Sequence, residues 1–176
     1  MAEVLLRHHL AVRGVEASVS SAGVHEGGAP ATHHGLAAMA ARGLDLHGHV
    51  SRQVTRGMVK EADLIIGMAR EHVREAAVLD PAVLERSFTL KDLVRRGEDL
   101  GPRSASEPLG DWLARMAASR QRSELVGGGH DPAVDVEDPV GRGTADYEAT
   151  ATLLDELLRR LVDLTCPADE SADTPR

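Results

Sequence analysis

The sequence predicts an α/β protein with a parallel sheet, because short apolar runs alternate with segments of helical periodicity. Its 176 residues are 42% hydrophobic and 27% charged, which is an ordinary globular balance. A chain of this length favours one domain. We expect that domain to cover residues 1–164 and a polar, disordered tail to follow at 165–176.

The predicted helices have apolar side chains that recur every three or four residues, and most have a recognisable end signal. Gly14 ends the first helix and Gly43 ends the second. Thr55 caps the third, and Asp80-Pro81 follows the fourth. The predicted helices cover residues 1–13, 32–42, 55–61, 70–79, 111–120 and 144–164.

Three short segments are predicted to be strands. Residues 15–20 alternate apolar and polar side chains, as a half-buried strand does. Residues 63–68 contain an apolar run at 64–66, which is typical of a strand buried on both faces of a parallel sheet. Residues 87–90 are a shorter candidate. The Gly- and Pro-rich stretch 96–137 is predicted to be a long surface excursion that contains one helix.

Charge and composition exclude several classes of function. The formal net charge is −8, which disfavours sequence-independent binding to nucleic acid or to an anionic membrane. No apolar stretch approaches the roughly 18 residues of a membrane span, and no secretory leader is recognisable. The single cysteine excludes a disulfide framework and a cysteine-based zinc cage. We therefore expect a cytoplasmic protein that binds neither nucleic acid nor membrane.

Neither the histidines nor the cysteine indicates a site. His8-His9 and His33-His34 are adjacent on predicted helices, so the side chains of each pair point in different directions and cannot chelate one ion. We predict no metal and no cofactor. Cys166 follows the last helix among acidic residues, which disfavour a thiolate, and we interpret it as incidental.

Asp138 is the first candidate for catalysis. Pro139 restricts Asp138 to an extended backbone, which directs its carboxyl away from the chain. An Asp-Pro pair taken alone is more typical of a turn.

Three separated motifs occur in order along the chain. They are Val-Ser-Ser-Ala-Gly at 19–23, His-Val-Ser-Arg-Gln-Val-Thr at 49–55 with Asp-Leu-Ile-Ile-Gly-Met at 63–68, and Glu-Asp-Pro at 137–139. Together they resemble the low-molecular-weight protein-tyrosine phosphatase family of bacteria, over residues 1 to about 96 and 134–164. The resemblance implies a three-layer α/β/α fold with a parallel four-stranded sheet. It also implies hydrolysis of phosphotyrosine, in a protein or a small aryl phosphate, through a phosphocysteine intermediate and without a cofactor.

The resemblance implies roles for individual residues. Asp138 matches the general acid, which protonates the leaving group and later activates water. Ser21 and His49 match residues that hold the phosphate-binding loop in shape. From the residues alone, Ser21 also fits a turn after a strand, and His49 fits a half-buried structural histidine. Val140 stands where many members carry an aromatic side chain, and Asp135 matches no family role, so we expect Asp135 to matter much less.

The family's nucleophile has no match in this sequence. In the family, a loop of Cys, five residues, Arg and Ser or Thr follows the central first strand, and Met1-Ala2-Glu3 matches the end of that motif. We expect translation to begin upstream, with Met1 internal to the motif. The strands at 15–20 and 63–68 should then be parallel with a gap between them, and the 176-residue chain should be inactive.

Two alternatives remain open at the level of sequence. One is a non-catalytic, phosphatase-like binding module that lacks the loop. The other, less favoured, is arsenate reduction on the same fold, which usually needs additional redox cysteines.

Overall fold

Two short parallel strands lie among seven α-helices and one 3-10 helix in the part of the chain that the computed structural model describes, residues 1–120 and 129–167. In chain order the elements are α1 (Ala2–Val12), α2 (His33–Ala40), α3 (Arg56–Glu61), β1 (Ile65–Gly67), α4 (Arg70–Leu79), a 3-10 helix (Pro81–Arg86), β2 (Ser87–Thr89), α5 (Leu90–Leu100), α6 (Leu109–Ala118) and α7 (Thr144–Thr165).

Local chemistry sets the helix ends much as the sequence predicts. The hydroxyl of Thr55 accepts a hydrogen bond from the backbone N–H of Met58 at 3.3 Å and so caps α3. Gly14 and Gly43 follow α1 and α2 with φ of +70° each, in the left-handed region that favours glycine. Pro81 begins the 3-10 helix directly after α4 ends.

β1 and β2 pair in parallel, with Ile65 opposite Ser87 and Gly67 opposite Thr89. The strand predicted at 63–68 is therefore present. Its apolar residues are only half-buried, however, because within the described residues β1 pairs with β2 along one edge. The sequence prediction of a strand buried on both faces is not met here.

Residues 15–20 form no strand, so the sequence prediction of a strand there is wrong. Alternation supplies two faces, but a strand also needs a neighbour for its backbone, and none runs along 15–20 in the described structure. Instead, the Arg7 guanidinium donates a hydrogen bond to the Val19 carbonyl, with Nε 3.1 Å from the oxygen. A single parallel bridge, Gly23 to Gln53, follows this segment.

The long helix α7 packs against α1, α2 and α5, and together these helices enclose most of the core. The predicted apolar stripe of α7 is buried, and the stripe's residues are Ala151, Leu154, Leu158 and Leu161. Apolar side chains of α1 and α5 meet this stripe in one cluster, Leu5 from α1 and Leu93 and Val94 from α5 among them.

The stretch 96–137 contributes to the core, which corrects the prediction of a surface excursion. Its helix α6 buries Trp112 and Met116 completely, and the Trp112 indole N–H donates to the Gly101 carbonyl at 3.2 Å. Gly97 lies so close to Trp112 and Leu164 that a Cβ there would be 2.8 Å from a Leu164 methyl carbon. Gly101 follows the last residue of α5 and Pro108 precedes the first residue of α6, so these two residues mark helix ends.

Parts of two predictions lie outside the described residues. These are residues 121–128 of the predicted excursion and residues 168–176 of the predicted tail. Among the described helices, none combines the length and the apolar character that crossing a membrane requires.

If α6 belongs to the core, Leu113→Ala should lower the free energy of unfolding by about 2–5 kcal/mol, because the cavity left by a buried leucine adds to the lost transfer energy. Leu113 is 2% exposed. Urea unfolding monitored by circular dichroism measures the change.

Leu100→Ala is the matched control, since Leu100 lies in the same stretch but is 43% exposed. Its cost should stay below about 1 kcal/mol. Equal costs at the two leucines would mean that α6 does not pack as described.

Candidate functional site

A cleft of about 520 Å³ lies between the first turns of α1 and the loops that carry two of the three predicted site residues, Ser21 and His49. Glu3 and Arg7 of α1 and Arg52 also line it. The structure thus brings together residues that are far apart in the chain and that the motifs at 19–23 and 49–55 had singled out.

Glu3 is the centre of this group. The Ser21 hydroxyl donates to Oε2 of Glu3, and Nη2 of Arg7 lies 2.6 Å from Oε1. Nδ1 of His49 is 4.0 Å from Oε2 of Glu3, a separation at which a protonated ring would attract the carboxylate. The Glu3 side chain is 14% exposed, so these partners act on a carboxylate that is mostly out of water. We call Glu3, Ser21 and His49 the Glu3 cluster.

Two arginines fix the backbone that carries Ser21. Arg7 binds the Val19 carbonyl, and Nε of Arg52 donates to the Ser21 carbonyl at 2.7 Å. Carbonyl groups without a strand partner are thereby satisfied by side chains. Ser21 is held by its hydroxyl and by its backbone, so its position is set by more than a local turn.

Sequence reasoning missed three of these residues. Glu3 ends the Met-Ala-Glu match, and this was the only sign of its place in the site. Arg7 lies four residues after Glu3 on a helix, the spacing of an ion pair, and this signal was available. Arg52 gives no such signal, because its partner is a carbonyl 31 residues away.

Asp138 lies outside the cleft lining. Its side chain is exposed, and Oδ1 accepts a hydrogen bond from the Val140 N–H at 3.0 Å. Pro139 is buried, whereas the Val140 side chain is 66% exposed. The buried proline fixes this turn, and the Asp138 carboxyl remains open to solvent.

The residue that sequence reasoning set aside, Asp135, is 3% exposed and strongly bonded. Its Oδ1 accepts from the backbone N–H of Arg70 at 2.8 Å, and its Oδ2 accepts from the backbone N–H of Asp131 at 2.8 Å. Nη2 of Arg70 lies 3.4 Å from Oδ2. No local pattern could have indicated this, because Arg70 precedes Asp135 by 65 residues.

Burial and hydrogen bonding act in opposite directions on the pKa of Asp135. Desolvation would raise it, but the N–H groups of Asp131 and Arg70, followed by the Arg70 guanidinium, outweigh desolvation and lower the pKa below its ordinary value. Arg70 is the first residue of α4, so the carboxylate also lies at the positive end of that helix. Asp135 is therefore an ionised anchor.

The backbone beside Asp135 is tied to the end of β1. The N–H of Val136 donates to the carbonyl of Met68 at 2.7 Å, and Met68 directly follows β1. In open α/β sheets, ligands bind beyond the carboxyl ends of the strands. The loop that carries Asp138 is thus attached at the end of the sheet where such sites form.

The described residues contain no group of three or more His, Cys, Asp or Glu arranged to hold a metal ion. Cys166 caps the C-terminus of α7 and does not line the cleft. No thiol in the described structure therefore lies beside the Glu3 cluster.

Comparison with known proteins decides the family. The model of the low molecular weight phosphotyrosine protein phosphatase family matches residues 1–101, more than half of the chain. The chain belongs to this phosphatase family. The resemblance carried by the sequence motifs is thereby confirmed.

Relatives of this phosphatase-family chain include a protein-arginine-phosphatase of Bacillus subtilis (strain 168), which is 28% identical over 162 residues, 92% of this chain and 84% of the relative. A solved YwlE arginine phosphatase, a Cys-to-Ser mutant with a phosphorylated active-site serine, superposes with a TM-score of 0.66 at 26% identity, over 92% of this chain and 84% of that one.

A low molecular weight protein tyrosine phosphatase from T. tengcongensis superposes with a TM-score of 0.65 over 92% of this chain and 87% of that one. At 24% identity it supports the fold alone. The α/β fold of the family is therefore present in this chain.

Because Asp135 is anchored as an anion, Asp135→Asn should destabilise the phosphatase-family chain by about 2 kcal/mol at pH 7. The pKa of Asp135 is lowered on folding, so its contribution is complete above the unfolded-state value of about 3.9 and is lost as the pH falls through the lower folded-state pKa. The difference in the free energy of unfolding between wild type and variant, measured by urea unfolding at each pH, should therefore become smaller below about pH 4.

Asp138→Asn is the control, because the exposed Asp138 carboxyl makes one local bond. It should change stability by less than about 1 kcal/mol, with no comparable narrowing. If Asp135→Asn lowers the free energy of unfolding by the same amount at pH 7 and pH 3, the charge of Asp135 does not stabilise the fold.

Proposed function

We propose that this chain is the larger part of a protein phosphatase that works through a phosphocysteine, and that a Cys-x5-Arg loop preceding Met1 completes its site. The observation that carries this proposal is the Glu3 cluster. Its Ser21 and His49 match family positions that support the phosphate-binding loop, and they meet at the first turn of α1, into which such a loop would lead. A helix N-terminus at that point suits a bound phosphate.

The chemistry has two steps. A loop thiolate attacks phosphorus, the bond from phosphorus to the leaving group breaks, and the acid of Asp138 gives the leaving atom a proton. The Asp138 carboxylate then takes a proton from water as the water oxygen attacks phosphorus. The S–P bond breaks, and the thiolate and phosphate are released. The phosphorylated active-site serine of the related YwlE mutant supports a covalent intermediate.

The proposal includes a strand before the loop, which would pair with the second edge of β1 and contribute to a parallel four-stranded sheet. The half-buried side chains of Ile65 and Ile66 support this, because a strand flanked on both sides buries such residues. Unpaired strand edges attract further strands, so an edge of this kind favours pairing. The match covers 84% of the Bacillus relative, so the unmatched part of that protein is long enough to contain such a segment.

The substrate class is a phosphorylated protein side chain, for which the family and the relative suggest two candidates. The family description supports phosphotyrosine, the substrate that the sequence resemblance implies. The Bacillus relative acts on protein arginine, according to its name, and so supports phosphoarginine. Val140 places an exposed aliphatic side chain where an aromatic residue would stack on a phosphotyrosine ring. Because this stacking is missing, Val140 is also compatible with phosphoarginine as the substrate.

A non-catalytic binding module remains the alternative from another class, with arsenate reduction a lesser one. A module would have no use for an acid, a hydroxyl and an imidazole at three family positions, and arsenate reduction would need more thiols than Cys166. In-frame translation of the DNA before Met1 distinguishes them. Cys, five residues and Arg-Ser or Arg-Thr supports the enzyme, and an immediate stop codon supports the module.

The direct test compares the 176-residue chain with a chain extended through the upstream loop. We expect only the extended chain to release phosphate, and we expect peptides carrying phosphotyrosine or phosphoarginine to show which bond it cleaves. A Cys166→Ala variant of the 176-residue chain is the blank, because Cys166 lies outside the cleft. Release above this blank by the shorter chain, or none by the extended chain, would contradict the proposal.

In the extended chain, Asp138→Asn should lower turnover of aryl phosphates by about 100-fold or more, because the leaving oxygen loses its proton donor. Glu137→Gln is the matched control, since Glu137 is a neighbouring exposed carboxylate that pairs with Arg142. It should stay within about threefold of wild type. Similar losses in both variants would remove the acid role from Asp138.

A further inference from the structure

The loop that carries the proposed acid is held from its N-terminal side. Asp138 itself has one bond in the described structure, to the Val140 N–H. Three residues earlier, Asp135 has backbone donors from both its own loop and α4. The rigidity of the Asp138 loop therefore comes from residues 131–136.

Arg70 joins this loop to the sheet in three ways. Its backbone N–H donates to Asp135, its guanidinium faces the same carboxylate, and Nη2 also donates to the Gly129 carbonyl at 2.8 Å. The adjacent bond from Val136 to Met68 places these contacts directly after β1. Arg70 therefore ties both ends of the 129–136 segment to one point.

This arrangement is more than a surface ion pair. The Asp135 side chain is 3% exposed and that of Arg70 is 11% exposed, so the pair is largely removed from water. Removing one partner from such a pair leaves a buried charge without compensation. A loop that had only to cover the core could use apolar residues at these positions.

We propose that Asp135 and Arg70 are positioning residues that hold the Asp138 carboxyl in place for proton transfer. This inference rests on the proposed acid role of Asp138. A general acid must lie within hydrogen-bond reach of the leaving atom, and an exposed side chain on an unanchored loop would spend little time there. The Asp135–Arg70 pair and the buried Pro139 confine it.

Leaving groups provide the test in the extended chain. Asp135→Asn and Arg70→Gln should lower kcat/KM about tenfold or more for phenyl phosphate, whose leaving group needs the proton, and less than about threefold for p-nitrophenyl phosphate. Arg70→Lys, which keeps the charge and the backbone donor, should recover part of the loss. Asp163→Asn and Arg159→Gln, an exposed pair on α7, should change neither substrate by more than about threefold.

A double-variant comparison separates positioning from general damage. In an Asp138→Asn background, Asp135→Asn should cause no further loss on phenyl phosphate, because the group it positions is already gone. Equal losses on both substrates, or losses that multiply in the double variant, overturn the positioning role. Should Asp138→Asn alone have no effect, the acid assignment and the positioning role fail together.

Hydrogen exchange in the 176-residue chain tests the anchor without catalysis. Asp135→Asn should increase the exchange of the Val136 and Arg70 amide protons about tenfold or more, while amides in the core of α7 change little. Unchanged exchange at Val136 and Arg70 would show that Asp135 does not hold the loop, whatever the activity of the extended chain.

Discussion

The packing of α7 determines where the rest of the molecule can lie. The described sheet pairs only three residues of β1 with three of β2, too few to organise a domain. The cohesion comes instead from the apolar face of α7 against α1, α2 and α5. Polar contacts close the edges of this interface: His9 of α1 is hydrogen-bonded to Asp155 of α7 at 2.8 Å, and Arg42 after α2 forms an ion pair with Glu148 of α7 at 2.8 Å. Because α1 is fixed in this way, its first turn presents Glu3 at one place.

The end of β1 is the second fixed point, and it organises the other half of the candidate site. Met68 holds Val136, and Arg70 holds Asp135, so the loop before α7 is fixed at the strand's carboxyl end. The Glu3 cluster depends on α1, whereas the Asp138 loop depends on β1 and α4. Their relative placement therefore follows from the packing of helices and sheet, and neither half is positioned by contacts of its own with the other in the described structure.

The sequence predicted features that have local causes and missed those that depend on distant partners. Helices α1 to α4, α6 and α7 were predicted because apolar spacing, threonine caps and glycine or proline ends act within a few residues. The motifs placed Ser21 and His49 in one site, and both line the same cleft. The strand at 15–20 failed because a strand needs a neighbour that its own residues do not specify. Asp135 was missed because its burial depends on Arg70, 65 residues earlier.

The two aspartates of the 135–138 segment have identical side chains but different environments, and these environments suit them to different roles. Asp135 is ionised by its partners, and its lowered pKa makes it a poor proton donor near neutral pH. Asp138 has an exposed carboxyl with a single local hydrogen bond, so it is accessible to a bound group and to water. An acid that works in both steps must gain and lose a proton in each cycle, which an anchored carboxylate cannot do. The Asp135 anchor therefore cannot take over the acid role proposed for Asp138, although only two residues lie between them.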